Sequence, residues 1–240
     1  MRIKHVVAVV AIGAAGLVLT GCDFGGMAGT TFSDNESLGQ DISEVRFTND
    51  SGDVKITVGD TVEVRRTIKY DQDKPGKTYR VDGGDTLVLE ECKQRNCWVS
   101  YDVTVPDGTK VSGHADSGSV ELVGVASANV EAESGDITVR DVAGEVNASA
   151  QSGSVDLSGI GGTVVAGAES GTVTVGLTAA RNVSVRTESG DIAVSVPDAN
   201  YQVNAMTDSG KVDNGIGNDT SAGHKLDLRA DSGDVTVTQV

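Results

Sequence analysis

Seven Ser-Gly pairs divide the second half of the chain at nearly even intervals, and no other feature of its 240 residues restricts the fold so tightly. They fall at Ser117-Gly118, Ser134-Gly135, Ser152-Gly153, Ser170-Gly171, Ser189-Gly190, Ser209-Gly210 and Ser232-Gly233, with Ser-to-Ser spacings of 17, 18, 18, 19, 20 and 23 residues. An eighth copy, Ser51-Gly52, stands alone in the first half. A period under ~25 residues marks a solenoid, whose units bury their apolar faces only by stacking on one another. The expectation is an all-β solenoid, a β-helix of ~18-residue coils that turn at Ser-Gly corners.

Each unit has a consistent grammar. In NVEAESGDITV, Val130 and Ala132 share one face of a strand, Ile137 and Val139 share a face of the next, and the parity changes across Gly135. An extra residue at a corner lets both arms keep their apolar side chains inward. Glycine accepts the positive φ such a bend requires, and the serine hydroxyl is a candidate partner for backbone groups left unpaired there. Aromatic residues are only 3% of the chain, which suits a thin interior of Val, Ala, Leu and Ile. The chain ends on DVTVTQV with no polar cap, so an open sheet edge and self-association are expected at the C-terminal coil.

Residues 42–110 alternate strictly between apolar and polar positions, as in Val62, Val64, Ile68 and Tyr70, with turn signals at VGD, DKPG, VDGGD and VPDG. This region reads as an antiparallel-rich β region preceding the repeats of 111–240, the two forming one continuous domain over 42–240. Cys92 and Cys97 bracket KQRN between two such runs. In an exported protein the pair reads as a disulfide stapling a hairpin tip, worth about 2 kcal/mol for so short a loop.

The N-terminus indicates export. Arg2 and Lys4 precede an apolar run over 6–19, too short to span a bilayer, and Leu19-Thr20-Gly21-Cys22 follows. Those four residues resemble the lipobox of bacterial lipoproteins. The resemblance implies a signal peptide over 1–21, cleavage before Cys22, a diacylglycerol thioether on its sulfur and acylation of the new N-terminus. Residues 22–41, rich in Gly, Ser, Thr and Asp, then read as a flexible tether from a lipid anchor on the extracytoplasmic face of the cell membrane. Without Arg2 and Lys4, 17 basic side chains face 35 carboxylates, a net charge of −18 that excludes nucleic acid as a partner.

The residues offer little chemistry. Asp231-Ser232-Gly233 matches the tripeptide that carries the catalytic carboxylate of aspartic proteases, which need two facing Asp groups sharing one proton. Across the eight corners the residue before Ser is Asp in four, Glu in three and Gln in one, which marks a solvated position rather than a dyad such as Asp208 and Asp231. Ser-Gly-Asp at Asp53, Asp136, Asp191 and Asp234 invites comparison with calcium-binding β-solenoid repeats, but Lys211 at the equivalent place would oppose a cation. PGKT at Pro75 to Thr78 lacks the first glycine of a phosphate-binding loop, since residue 71 is Asp71. His114 and His224 stand at no zinc-ligand spacing, so no metal site, cofactor or catalytic residue is expected.

The recurring SGDV, SGSV and SGDI units and the VPDGTKV junction at Val105 to Val111 resemble a bacterial β-strand-repeat family labelled "putative adhesin". The likeness covers residues 42–240 and implies a surface β-helical protein with no catalytic residues to carry over. The expected function is a non-enzymatic, lipid-anchored binding or scaffolding module for cell-wall glycan or an envelope protein. The alternative is an envelope-stress or signalling accessory that binds a membrane partner.

Overall fold

A computed structural model describes residues 29–240. The expected signal peptide, Cys22 and the first part of the expected tether lie outside the described residues. In chain order, the first strands are β1 (Thr30–Leu38), β2 (Glu44–Ser51), β3 (Val54–Val58), β4 (Val62–Tyr70), β5 (Tyr79–Asp82), β6 (Thr86–Leu89) and β7 (Cys97–Val105). The repeats supply β8 (Lys110–Ser117), β9 (Val120–Val123), β10 (Ser127–Ser134), β11 (Ile137–Arg140), β12 (Val146–Ser152), β13 (Val155–Ile160) and β14 (Val164–Ser170). The last are β15 (Val173–Leu177), β16 (Val183–Ser189), β17 (Ile192–Val196), β18 (Tyr201–Ser209), β19 (Val212–Asn214), β20 (His224–Ser232) and β21 (Val235–Gln239).

Each repeat places its longer strand in one sheet and its shorter strand in the other, with the Ser-Gly corner between. The result is a two-sheet β-solenoid. The eleven-stranded sheet runs β1-β4-β7-β3-β9-β11-β13-β15-β17-β21-β19, and the ten-stranded sheet runs β18-β20-β16-β14-β12-β10-β8-β2-β6-β5. From β7 and β6 onward the strands stack in parallel, while β1, β4 and β5 add antiparallel strands at one end. One apolar core runs through the stack, with Ile137, Leu157 and Ile192 of the eleven-stranded sheet facing the alanines of the other. Ala115, Ala132, Ala150, Ala168 and Ala230 occupy the inward position nearest the corner, a position taken in β2 and β16 by Asn49 and Thr187, both fully buried.

The spatial order of coils departs from sequence order at both ends. The β2–β3 coil lies between the later β6–β7 coil and β8–β9, with Ser51 in register with Ser117. At the far end, β20–β21 is inserted between β16–β17 and the earlier β18–β19. The C-terminal strand is therefore internal, which corrects the expected open edge at the C-terminal coil. The outermost coil is β18–β19, and residues 215–223 fold back on it. There the Val203 N–H donates to Asn218 Oδ1 at 3.0 Å, and the Asp219 N–H donates to the Tyr201 carbonyl at 2.9 Å. A loop that satisfies edge groups in this way blunts strand addition.

Two further expectations change. Cys92 and Cys97 are disulfide-bonded, but β6 and β7 lie in different sheets, so the bridge staples a corner between sheets rather than a hairpin tip. The expected tether over 22–41 contains β1, which pairs with β4 along its whole length. The reason lies in its inward positions. Phe32 and Leu38 pack against the core, and Asp34 between them binds the Arg66 guanidinium through two hydrogen bonds of 2.7 Å. Arg66 itself occupies a core-facing position of β4 and is 5% exposed. A charge so buried requires a paired partner, and Asp34 is it.

Candidate functional site

The corners form the most regular constellation in the molecule. The glycines Gly52, Gly118, Gly135, Gly153, Gly171, Gly190, Gly233 and Gly210 stack in that order, each with φ between +113° and +154°. A Cβ on Gly118 or any later member would lie 2.0 to 2.3 Å from the carbonyl oxygen of the glycine one coil away. No side chain fits. Serine contributes its carbonyl, which accepts the N–H of the neighbouring glycine, as in Gly135 N to Ser152 O at 2.9 Å. The corner serine side chains face outward and are mostly exposed, so the role expected of the hydroxyl belongs to other groups.

The four Ser-Gly-Asp carboxylates have structural partners. Asp53 Oδ1 accepts the Ser119 N–H, Asp136 Oδ1 that of Ser154, Asp191 Oδ1 that of Asp234, and Asp234 Oδ1 that of Lys211, at 2.8 to 2.9 Å. Each caps a backbone donor of the adjacent coil, and this accounts for aspartate there without calcium. The Asp208 and Asp231 carboxylates both point to Arg229, at 3.7 and 3.6 Å, and both residues are exposed. Two carboxylates sharing a guanidinium in solvent do not form a proton-sharing dyad. In PGKT, the Gly76 carbonyl and Thr78 hydroxyl accept from Arg66, and Lys77 pairs with Glu36. That turn belongs to the closure of the solenoid's first end.

The same end carries the strongest electrostatic perturbations. The hydrogen bonds from Arg66 hold the Asp34 carboxyl below the usual carboxylate range, and those from Lys77 and Tyr79 lower Glu36. Burial pushes the Tyr101 hydroxyl up to about 12, and its oxygen lies 2.6 Å from both the Thr78 hydroxyl and the Glu90 carbonyl. Burial, then the hydrogen bond to Glu36, also raises Tyr79. These groups are interlocked with one another rather than arranged around an open cleft. Asn49, fully buried in β2, belongs to the same scaffold because its Nδ2 donates to the Gly52 and Val99 carbonyls where the glycine column ends.

The open surface with the best-defined geometry is the outer face of the ten-stranded sheet. Strand pairing aligns its outward side chains into columns about 4.8 Å apart per coil. One column reads Thr48, His114, Glu131, Ser149, Gly167, Arg186, Arg229, Met206. Beside it, the residues preceding each corner serine read Asp50, Asp116, Glu133, Gln151, Glu169, Glu188, Asp231, Asp208. Ser149 and Gly167 are small, so the surface dips between Glu131 and Arg186. The dip is a groove of about 490 Å³ lined by Glu131, Glu133, Gln151, Glu169, Arg186 and Glu188, with His114 at one end. At that end His114 Nε2 lies 2.9 Å from Asp116 Oδ1 and 3.8 Å from Glu133 Oε1, while Nδ1 lies 3.8 Å from Glu131 Oε2. Sequence spacing missed this cluster because its members come from two strands. The usable signal was register: once Ser117 is aligned with Ser134, His114 falls opposite Glu131.

No curated protein matches the chain. Among solved structures, the chain is similar to a "putative adhesin" from Bacteroides fragilis, at 13% identity over 88% of this chain and 97% of that one, TM-score 0.49. A "putative cell adhesion protein" from Clostridium sporogenes is similar at 14% identity over 88% of this chain and 100% of that one, TM-score 0.37. A "putative lipid binding protein" from Parabacteroides distasonis is similar at 12% identity over 87% and 96%, TM-score 0.33. The Toastrack DUF4097 family matches residues 38–238, a span that takes in β4 and β5 of the antiparallel end, the disulfide corner and the whole glycine column, and begins at the last residue of β1. The chain belongs to that family.

Proposed function

We propose that this protein is a lipid-anchored, non-enzymatic binding module of the cell surface that uses the groove on its ten-stranded sheet to hold a polyhydroxylated chain such as a cell-wall glycan. The observation that carries the reading is the groove itself. Its walls combine carboxylates, one amide and one guanidinium at the fixed spacing of stacked strands, on a floor lowered by Ser149 and Gly167. Carboxylates and amides accept and donate hydrogen bonds to neighbouring hydroxyls, and a ladder of them suits an extended ligand with a short repeat. A rigid sheet presents these groups with little ordering cost. The resemblance of residues 19–22 to a lipobox supports anchoring through Cys22, which would hold the groove outside the cell.

Retention of the purified protein on columns of defined cell-wall polysaccharides tests this reading. Wild type is expected to be retarded on at least one, and Ser149→Tyr, which fills the dip, is expected to elute in the void. Absence of retardation on every polysaccharide would overturn the glycan reading. For the anchor, mass spectrometry of the mature protein should find a diacylglycerol adduct on Cys22, and Cys22→Ser should release the protein from membranes.

A further inference from the structure

We propose that His114, Asp116 and Glu133 form a binding site for a divalent first-row transition-metal ion of the zinc class. One donor atom from each lies within 4.8 Å of the other two. The His114 Nε2 distances to Asp116 Oδ1 and Glu133 Oε1, 2.9 and 3.8 Å, bracket the donor separation of about 3.4 Å that a tetrahedral ion with bonds near 2.0–2.1 Å requires. Glu131 adds a third carboxylate: its Oε2 stands 3.8 Å from Nδ1 of the same ring, too far for a hydrogen bond but near enough to add its charge to the cluster.

Charge and rigidity agree with this geometry. Three carboxylates surround one imidazole, and among the described residues none of the three forms an ion pair with Lys or Arg. The donors sit on adjacent parallel strands whose register is set by the corners, so little rearrangement stands between the empty and loaded arrangements. The cluster is open to solvent, which leaves room for water or a ligand atom at the fourth position. An imidazole among the ligands selects zinc-class ions over calcium and magnesium, which prefer oxygen alone. This inference does not depend on glycan binding. The site lies at one end of the groove, but its occupancy is measured with the metal alone.

The test is calorimetric titration of the full-length protein in detergent with ZnCl₂, run in parallel on His114→Ala, Asp116→Asn, Glu131→Gln and, on the opposite sheet, Asp156→Asn. One site is expected in wild type and in Asp156→Asn, weakened at least about 10-fold in His114→Ala and Asp116→Asn. Glu131→Gln, which removes a neighbouring carboxylate charge but no donor atom, should weaken it less than either of these. CaCl₂ at equal concentration should not compete. Because the substituted side chains face outward, circular dichroism should show the same fold in every variant. Equal zinc affinity and stoichiometry in wild type, His114→Ala and Asp116→Asn would overturn the proposal. Displacement by calcium in wild type would do so as well, since it would reduce the effect to attraction by an acidic face.

Discussion

The middle of the solenoid and its two ends are built by different rules. From β8 to β17 each coil repeats its neighbour: a small inward residue at the corner, alanine in four coils and Thr187 in the fifth, a glycine at positive φ, and the same Ser-to-Ser register. At the ends the repeat continues in form while sequence order fails, because β2–β3 and β20–β21 are each inserted between coils that precede and follow them differently along the chain. The contrast teaches that a corner grammar specifies how two coils stack but not which two. Selection at the ends falls to irregular residues: the buried Arg66–Asp34 pair, the Cys92–Cys97 bridge, Asn49 beneath the first glycine, and Asn218 and Asp219 over the last coil.

The comparison can be broken first in the middle. Gly153→Ala puts a methyl 2.1 Å from the Gly135 carbonyl in a positive-φ corner and should cost about 3 kcal/mol or more. Gly84→Ala at the N-terminal end, also at positive φ but with nothing within 4 Å, should cost about 1 kcal/mol, and chemical denaturation of the two variants measures the difference.

Next in size is the ion pair at the N-terminal end. Asp34→Ala leaves the Arg66 guanidinium buried without its partner and should destabilise by about 3 kcal/mol, with fast hydrogen exchange confined to residues 30–38 and their partners on β4. The pair is also acid-sensitive. Because Arg66 lowers the folded pKa of Asp34, its stabilisation is complete above the unfolded carboxylate range near 3.9 and is lost as pH falls through the depressed folded value. Wild type should therefore lose stability below about pH 4 by more than Asp34→Asn does, and acid melts of the two check the sign.

A smaller effect is expected from the disulfide. Cys92→Ser with Cys97→Ser should cost about 2 kcal/mol and loosen the β6–β7 corner while leaving the middle coils protected. The smallest concerns the aspartate caps. Asp136→Ala should cost about 1 kcal/mol, with faster exchange of the Ser154 amide, because one corner donor loses its acceptor.

Much of this architecture was legible from sequence, since period, parity change and glycine follow from local sterics that stacking merely repeats. That the corner glycines form a column follows from the repeat, though not the order in which they stack, with Gly233 between Gly190 and Gly210. What escaped were contacts between residues distant in sequence. Asp34 lies in a stretch whose composition resembles a linker, and only an arginine at a core-facing position of β4 hints that a carboxylate must come to it. Coil order escaped because β18 and β20 carry equivalent patterns, so either could stack on β16. Their separation by the loop of residues 215–223, longer than the other closures, was the only local trace of the insertion. The His114 cluster escaped because a metal-ligand search by spacing cannot see neighbours in the stacking direction.

Coil order at the C-terminal end is tested most directly with paired cysteines on the outer face of the ten-stranded sheet. Ser184 is paired with Asp227, and Asp227 in turn with Asn204, so Ser184 and Asn204 are separated by a whole strand. With a short thiol-to-thiol cross-linker and peptide mass analysis, Ser184→Cys with Asp227→Cys should give a nearly complete intramolecular product, and Ser184→Cys with Asn204→Cys almost none. The reverse yields would mean that the coils stack in sequence order, and would contradict the account.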